Sequence, residues 1–407
     1  MKSLYWFRND LRLHDNEALL EFSKKATEGL CVWCPSPSFL RAGPIRREFI
    51  FNSVLACKSS IEALGGVFIV SQFSAHQTLV ELIETHKIDA VFFSIEPTPE
   101  EKKEELQLQQ LSVKTFGYDT GSLIELSRFI GGAKDFSGSF TKFRNLVEKD
   151  LKVSKPLGPP LKIPSFKNLQ SSEKTPMLEN KYLHKHIPSG ELAGLARLKS
   201  YIWDLDQLKV YKQTRNGLLD WNDSSKFSPW LSVGALSAKT VYSEIERYQE
   251  ERIKNESTYW LFFELLWRDY FRLMAKKLGA QLFTAKAFDQ SRFESRTQAE
   301  ELFQKWAQAR TDDDFINAHM TELNQTGWMS NRGRQNVASY LCHHLKVDWQ
   351  KGARYFEEQL IDYDCSSNWG NWAYVAGVLP GSKEHKFDPH QQASMYDPDS
   401  AYRKRWL

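Results

Sequence analysis

The hydrophobic period of this 407-residue chain changes once, and that change constrains the fold more than any single motif. Up to about residue 116, short apolar runs alternate with amphipathic ones. Leu4-Tyr5-Trp6-Phe7, Leu30-Cys31-Val32-Trp33, Val67-Phe68-Ile69-Val70, Ala90-Val91-Phe92-Phe93 and Val113-Lys114-Thr115-Phe116 read as strands, with helical patterns over 16–24, 44–64, 75–86 and 99–109. Strands and helices alternating at this spacing predict a doubly wound parallel sheet with right-handed crossovers. No Gly-x-Gly-x-x-Gly follows the first strand, so the usual dinucleotide crevice is not supported. From Gly190 onward strand signals nearly vanish, and apolar residues recur at helical spacing over 238–252, 257–278, 332–345 and 349–360. The expectation is an α/β domain over 1–130, a Pro-, Ser- and Lys-rich linker over 131–189, and an all-α domain over 190–407.

Composition excludes some functions. A net charge of +3 rules out a whole-molecule polyelectrolyte argument for nucleic acid, so any basic groove must be local. Thirteen tryptophans and 26 phenylalanines fit either a large helical core or a stacking site. No apolar run reaches the ~18 residues of a membrane span, and the start Met1-Lys2-Ser3-Leu4 lacks a signal-peptide pattern. A soluble, cytoplasmic protein is expected. Five scattered cysteines indicate a reducing compartment. Cys31 and Cys34 have redox-motif spacing, but they lie in a strand-like run with no second pair to complete a zinc site. Core packing is the expected role, with no metal.

The chemistry concentrates in the second half. The run 326–336, with 361–364 and 368–372, holds paired acids, arginines, asparagines and tryptophans within a few helical turns. Buried polar groups need partners, so this investment points to a large, flat, polar-edged ligand. Asn331, Arg334 and Gln335 stand at i, i+3 and i+4 and share a helix face, as do Glu264, Trp267 and Arg268. An intrahelical Glu–Arg pair beside a core tryptophan explains the second set equally well. Ser224, Ser225 and Ser228 precede a helix start, where exposed amides can cradle a diphosphate, although serine caps are common for purely local reasons.

Several longer runs resemble the photolyase/cryptochrome flavoproteins, and among them the DASH-type cryptochromes. These are Trp6-Phe7-Arg8-Asn9-Asp10-Leu11-Arg12, Thr214-Arg215-Asn216-Gly217, Ser225-Lys226-Phe227-Ser228-Pro229-Trp230-Leu231, Ser257-Thr258-Tyr259-Trp260, Phe263-Glu264-Leu265-Leu266-Trp267-Arg268-Asp269-Tyr270-Phe271 and Tyr396-Asp397-Pro398. The resemblance spans essentially the whole chain. It implies FAD in the helical domain and a folate antenna, methenyltetrahydrofolate, between the domains and touching Glu101. Carried over by position, Tyr211, Ser224, Ser225 and Ser228 hold the diphosphate and ribityl region, assisted by Arg268. Arg334 and Asp362 form an ion pair beside the isoalloxazine, Asp364 meets its ribityl or pyrimidine edge, and Asn368 faces N5. A neutral amide there adds no charge against the reduced flavin.

The implied reaction is blue-light-driven repair of cyclobutane pyrimidine dimers in DNA by a monomeric enzyme. Glu264 bonds the lesion, Trp267 stacks on it, Asn331, Gln335 and Tyr374 line the cavity, and Arg215 takes a neighbouring phosphate. Gln335 and Tyr374 make the pocket more polar and suit single-stranded DNA. Two departures stand out. Trp372 and Trp349 match the family's electron-transfer tryptophans, but Arg296 occupies the third position. In Ala309-Arg310-Thr311-Asp312-Asp313-Asp314-Phe315-Ile316-Asn317-Ala318, Ala and Asp replace two glycines and a proline. A blue-light signalling flavoprotein and a non-catalytic DNA-binding flavoprotein remain alternatives. The chain's stop at Leu407 without an extension weighs against signalling.

Overall fold

The computed structural model describes residues 1–130, 138–171, 187–284 and 299–407. Contacts divide the chain into two compact units, Met1–Ile124 with Val153–Ser200 and Phe227–Arg247, and Glu125–Lys152 with Tyr201–Lys226 and Tyr248–Leu407. Neither unit is contiguous in sequence.

In the first unit, strands β1 (Lys2–Phe7), β2 (Glu28–Trp33), β3 (Phe68–Val70), β4 (Ala90–Ser94) and β5 (Lys114–Tyr118) pair in parallel in the order β3-β2-β1-β4-β5. The strands are continuously apolar because both sheet faces are covered. Leu4, Trp6, Leu30, Val32, Val91 and Phe93 meet Leu79, Leu82 and Leu108 on one face. On the other, Tyr5 and Phe92 pack against Phe22 of helix Glu17–Lys25. Local signals set the helix starts. Asn16 and Ser74 cap the amides three residues on, while Pro44 and Pro99 open helices Pro44–Ala63 and Pro99–Gln109. Cys31 and Cys34 are both buried and free. Cys34 joins the Leu4 face, whereas Cys31 lies in register with Tyr5, so alternation directs the two thiols to opposite faces. Burial pushes Cys31 well up and Cys34 to about 12, which is core chemistry rather than redox chemistry.

Beyond the carboxyl end of β1 lies a closed polar network. The buried Asp10 carboxylate accepts from Tyr5 Oη, from Ser94 Oγ at 2.6 Å and from the Arg8 amide at 2.8 Å. Arg12 donates to the carbonyls of Asp15 and Thr120, each at 2.8 Å, and of Gly234 at 2.9 Å. The Leu11 amide donates to Val233. These bonds draw 227–247 into the first unit, although its sequence pattern groups it with the helical half. Gly234 has a left-handed φ of 67°, and a Cβ there would lie 2.0 Å from the Asn9 carbonyl oxygen.

The regular elements of the second unit are all helices among its described residues. Its main elements are Glu256–Leu278, Asp314–Thr326, Asn331–Ser339, Trp349–Gln359, Cys365–Val375 and Ala401–Trp406. It also includes Phe140–Lys149, a helix inside the stretch expected to be linker; Phe140, Phe143 and Val147 supply a buried stripe at helical spacing. The expected helix over 332–345 is α-helical only to Ser339 and continues as a π turn, Tyr340–His344. In the altered loop Ala309 takes a left-handed φ of 57°, which costs about 1 kcal/mol without glycine. The other replacements are accommodated: Asp313 caps the Ile316 amide at 2.9 Å, and Asp314 opens the helix where its charge suits the dipole. Among the described residues no helix is long and apolar enough to cross a membrane.

Candidate functional site

Two short helices and the turn between their neighbours build a pocket in the helical unit. Ser330 caps Asn331–Ser339 by accepting from the Gly333 amide, and this start puts Asn331, Arg334, Gln335 and Ala338 on one wall. Asp364 caps Cys365–Val375 through the Ser367 amide at 2.7 Å, and Ser367, Asn368, Asn371, Trp372 and Val375 form the facing wall. Asp362, Tyr363 and Asp364 complete one end, with Phe356 and Leu360 as apolar lining. The space between these walls, including its open mouth, is about 550 Å³.

The pocket's charges are fixed. Arg334 Nη2 lies 2.9 Å from Asp362 Oδ2, its Nε donates to the Met329 carbonyl, and its guanidinium sits over Trp328. Asp362 is almost fully buried while Arg334 keeps some exposure, so the pair can neutralise itself and still offer donors to a ligand. Asn368 Nδ2 donates to the Ala353 carbonyl at 2.9 Å, which aims the amide and leaves Oδ1 as an acceptor. Gln335 Oε1 is buried without a hydrogen-bond partner. Trp372 packs directly on the Gly352 backbone, where a Cβ would lie 2.2 Å from the ring. A flat apolar floor with an edge of amides and one internal ion pair fits an isoalloxazine.

A second cluster centres on helix Glu256–Leu278. Glu264 Oε1 lies 2.5 Å from Arg215 Nη1. Burial raises the Glu264 carboxyl, and Arg215 opposes that rise. Thus Glu264 pairs with Arg215 across elements, and the intrahelical pair with Arg268 is not needed. Trp267 stacks face to face on Phe140 at 3.7 Å and 8°, with Tyr374 edge-on at 5.4 Å and His385 stacked on Tyr374.

The chain belongs to the photolyase/cryptochrome family. Residues 260–407 match the FAD binding domain of DNA photolyase, and residues 3–164 match the DNA photolyase model. Cryptochrome DASH from Synechocystis sp. is 38% identical, with 99% of this chain and 87% of that protein covered. Cryptochrome DASH from Danio rerio is 36% identical, covering 98% and 82%. A Synechocystis cryptochrome crystal structure superposes with a TM-score of 0.93 at 37% identity, over 100% of this chain and 89% of that one. A class III photolyase from Agrobacterium tumefaciens gives 0.88 at 27% identity, over 100% and 86%.

Within this photolyase/cryptochrome chain, the pocket gathers Asn331, Arg334, Gln335, Asp362, Asp364, Asn368 and Trp372. The second cluster joins Arg215 to Glu264 and Trp267 to Tyr374. Tyr211 is buried and its phenol is pushed well up by burial; Ser224 and Ser225 lie in the helical unit, whereas Ser228 falls in the first. Arg268 is half-buried on the Glu264 helix. Trp349 is buried edge-on to Trp369, while the aromatic rings nearest Trp372 are Phe356 and Trp306, at 5.1 and 6.1 Å. Arg296 lies outside the described residues. Glu101, in the first turn of Pro99–Gln109, accepts from Thr98 Oγ1 and is raised to about 8 by burial and the nearby Glu96.

Sequence reasoning placed Tyr363 and Asn371 in the polar runs 361–364 and 368–372 without giving either a role in the pocket, and it missed Ser367 there and Phe140 against Trp267. Asn371 was within reach, since it stands three residues from Asn368 on the same face. Phe140 carried no such signal, because its partner is more than a hundred residues away.

Proposed function

We propose that this protein is a photolyase that repairs cyclobutane pyrimidine dimers under blue light and prefers single-stranded DNA. One observation carries the reading: Trp267 is a half-buried indole backed face to face by Phe140, one turn after an acid, Glu264, that is paired with a cation. A braced aromatic plane beside a polar group able to bond base edges suits an extruded pyrimidine pair. Bound reduced FAD supplies the light absorption and the electron.

The chain's own residues do the rest. Arg334 with Asp362 would hold the ring edge of the flavin, Asn368 would offer its Oδ1 as an acceptor at N5, and Asp364 would hold the ribityl or pyrimidine edge; the ion pair, the Asn368–Ala353 bond and the shared pocket support these roles. Tyr211, Ser224, Ser225 and Arg268 hold the phosphates. Asn331, Gln335 and Tyr374 would orient the lesion, and Trp372 and Trp349 would supply the aromatic relay for electrons toward a bound flavin. The raised Glu101 carboxyl, able to donate a hydrogen bond while protonated, supports a folate antenna on the first unit.

Irradiated oligonucleotides test the reading. Dimers should disappear from single strands faster than from duplexes, in blue light and not in darkness, with a Glu264→Ala protein at least ~10-fold slower. Equal dimer content in lit and dark samples overturns it.

A further inference from the structure

The contact between Arg215 and Glu264 sits oddly with two separate duties, one toward phosphate and one toward a base. At 2.5 Å each group occupies the other. Neither is sealed in, since the side chains keep 20% and 30% exposure. Around them the surface is built for a single strand. Lys212 and Arg215 both lie over the Trp260 ring, at 4.6 and 5.2 Å, and Arg332 lies over Tyr396 at 4.8 Å. Trp260 and Tyr396 are half-buried, and cations laid beside partly accessible aromatic planes are how proteins follow a flexible backbone while stacking its bases. Of these three cations, Lys212 is paired with Glu256 and Arg332 reaches Asn216, whereas Arg215 is the one bound to Glu264.

We propose that Arg215 is an electrostatic latch: it holds Glu264 ionised until a phosphate of single-stranded DNA draws the guanidinium away, whereupon Glu264 takes a proton from solvent and donates a hydrogen bond to a pyrimidine carbonyl. No covalent bond forms or breaks; one ion pair is exchanged for another and one proton moves from water to carboxylate. The inference rests on the photolyase reading and adds an order of events at that site.

The electrostatic argument follows from the surroundings of Glu264. Burial raises the carboxyl, and the opposing influences are Arg215 and the Trp260 indole on its own helix. The other titratable group facing the pair is the Tyr211 phenol, kept neutral by burial, while Arg332 faces Arg215 and repels it. Moving Arg215 onto a phosphate therefore removes the main influence favouring the anion and relieves the Arg332 repulsion. A carboxylate can only accept hydrogen bonds, whereas a carboxylic acid can donate one to a carbonyl oxygen. The latch thus delays the donor form of Glu264 until the backbone is engaged, and a free base without phosphate does not trigger it.

Calorimetry on the FAD-loaded protein tests this. A dimer-containing single-stranded oligonucleotide is titrated at pH 7 in PIPES and in Tris, phosphate-free buffers whose different ionisation heats reveal protons taken up. The parent should take up as much as about one proton per lesion bound, and Glu264→Gln none, with flavin absorption unchanged in both. Arg215→Gln should take up less than the parent, because its Glu264 is already released, and its logarithmic salt slope should be shallower by about 0.7. Identical parent heats in the two buffers, or undiminished uptake in Glu264→Gln, overturn the latch while light-dependent repair leaves the photolyase reading standing. No preference for the dimer and no repair in light overturn both.

Discussion

The two units treat buried polar groups in opposite ways. In the α/β unit, Asp10, Arg12, Ser94 and Asn16 are almost fully buried, and each has several protein partners. In the helical unit, Gln335 Oε1, both amide atoms of Asn336, Trp349 Nε1 and Ser366 Oγ are buried without one. An unsatisfied buried group costs about 1–3 kcal/mol; among the described residues the first unit leaves Arg47 Nε in that state, whereas the helical unit leaves most of these atoms, including Gln335 Oε1 on the pocket wall, where a bound ligand can satisfy it.

The largest test of that contrast is removal of the flavin. At free FAD about 1,000 times Kd, binding should stabilise the protein by about 4 kcal/mol, and hydrogen exchange should slow in 331–375 far more than in strands β1–β5. Equal protection of both units breaks the comparison. A matched pair of substitutions sharpens it. Asp10→Ala removes a buried acceptor shared by the Arg8 amide and the Tyr5 and Ser94 hydroxyls and should cost about 3 kcal/mol in urea unfolding, whereas Asn336→Leu in the flavin-free protein should cost less than about 1 kcal/mol.

The smallest effect concerns a buried helical-unit cluster of Tyr402, Glu322 and His319, in which His319 Nε2 has no partner. Tyr402 Oη donates to Glu322 at 2.5 Å and meets His319 Nδ1 at 2.8 Å. Burial raises Glu322 to about 7, against the opposing pull of Tyr402, Lys226, Arg405 and Arg334, and lowers His319 to about 3, against Asp397. A raised carboxyl contributes stability that is full below its unfolded value of 4.5 and is lost as pH rises through about 7. A lowered histidine contributes stability that is full above its unfolded value of 6.5 and is lost as pH falls toward about 3. Between pH 4.5 and 6.5 the two slopes, each up to about 1.4 kcal/mol per pH unit, oppose one another. Melting temperatures should therefore fall with acidification in Glu322→Gln and rise with it in His319→Gln, across that window. Parallel slopes in the two variants would show that the cluster does not titrate.

The strands and most helix ends were legible because their causes are local. Asn16, Ser74, Pro44 and Pro99 mark helix starts within a few residues of themselves, and apolar runs mark strands. The pocket walls were partly legible for the same reason, since Asn331, Arg334 and Gln335 share a face by helical geometry. The membership of 227–247 was not legible, because it depends on bonds from Leu11 and Arg12 more than two hundred residues away. Phe140 behind Trp267 was hidden likewise, inside a stretch whose prolines and serines suggested a linker.

By itself the sequence determined the parallel α/β unit, the helical remainder and the membership of the photolyase/cryptochrome family, since periodicity and contiguous motifs are short-range properties of the chain. Tertiary structure decided the pairings: Glu264 meets Arg215 instead of its helix neighbour, Asn368 spends its donor on Ala353, and Trp267 shows one face because Phe140 covers the other. Which atoms remain available to a ligand depends on which are already satisfied from afar, and no local rule carries that information.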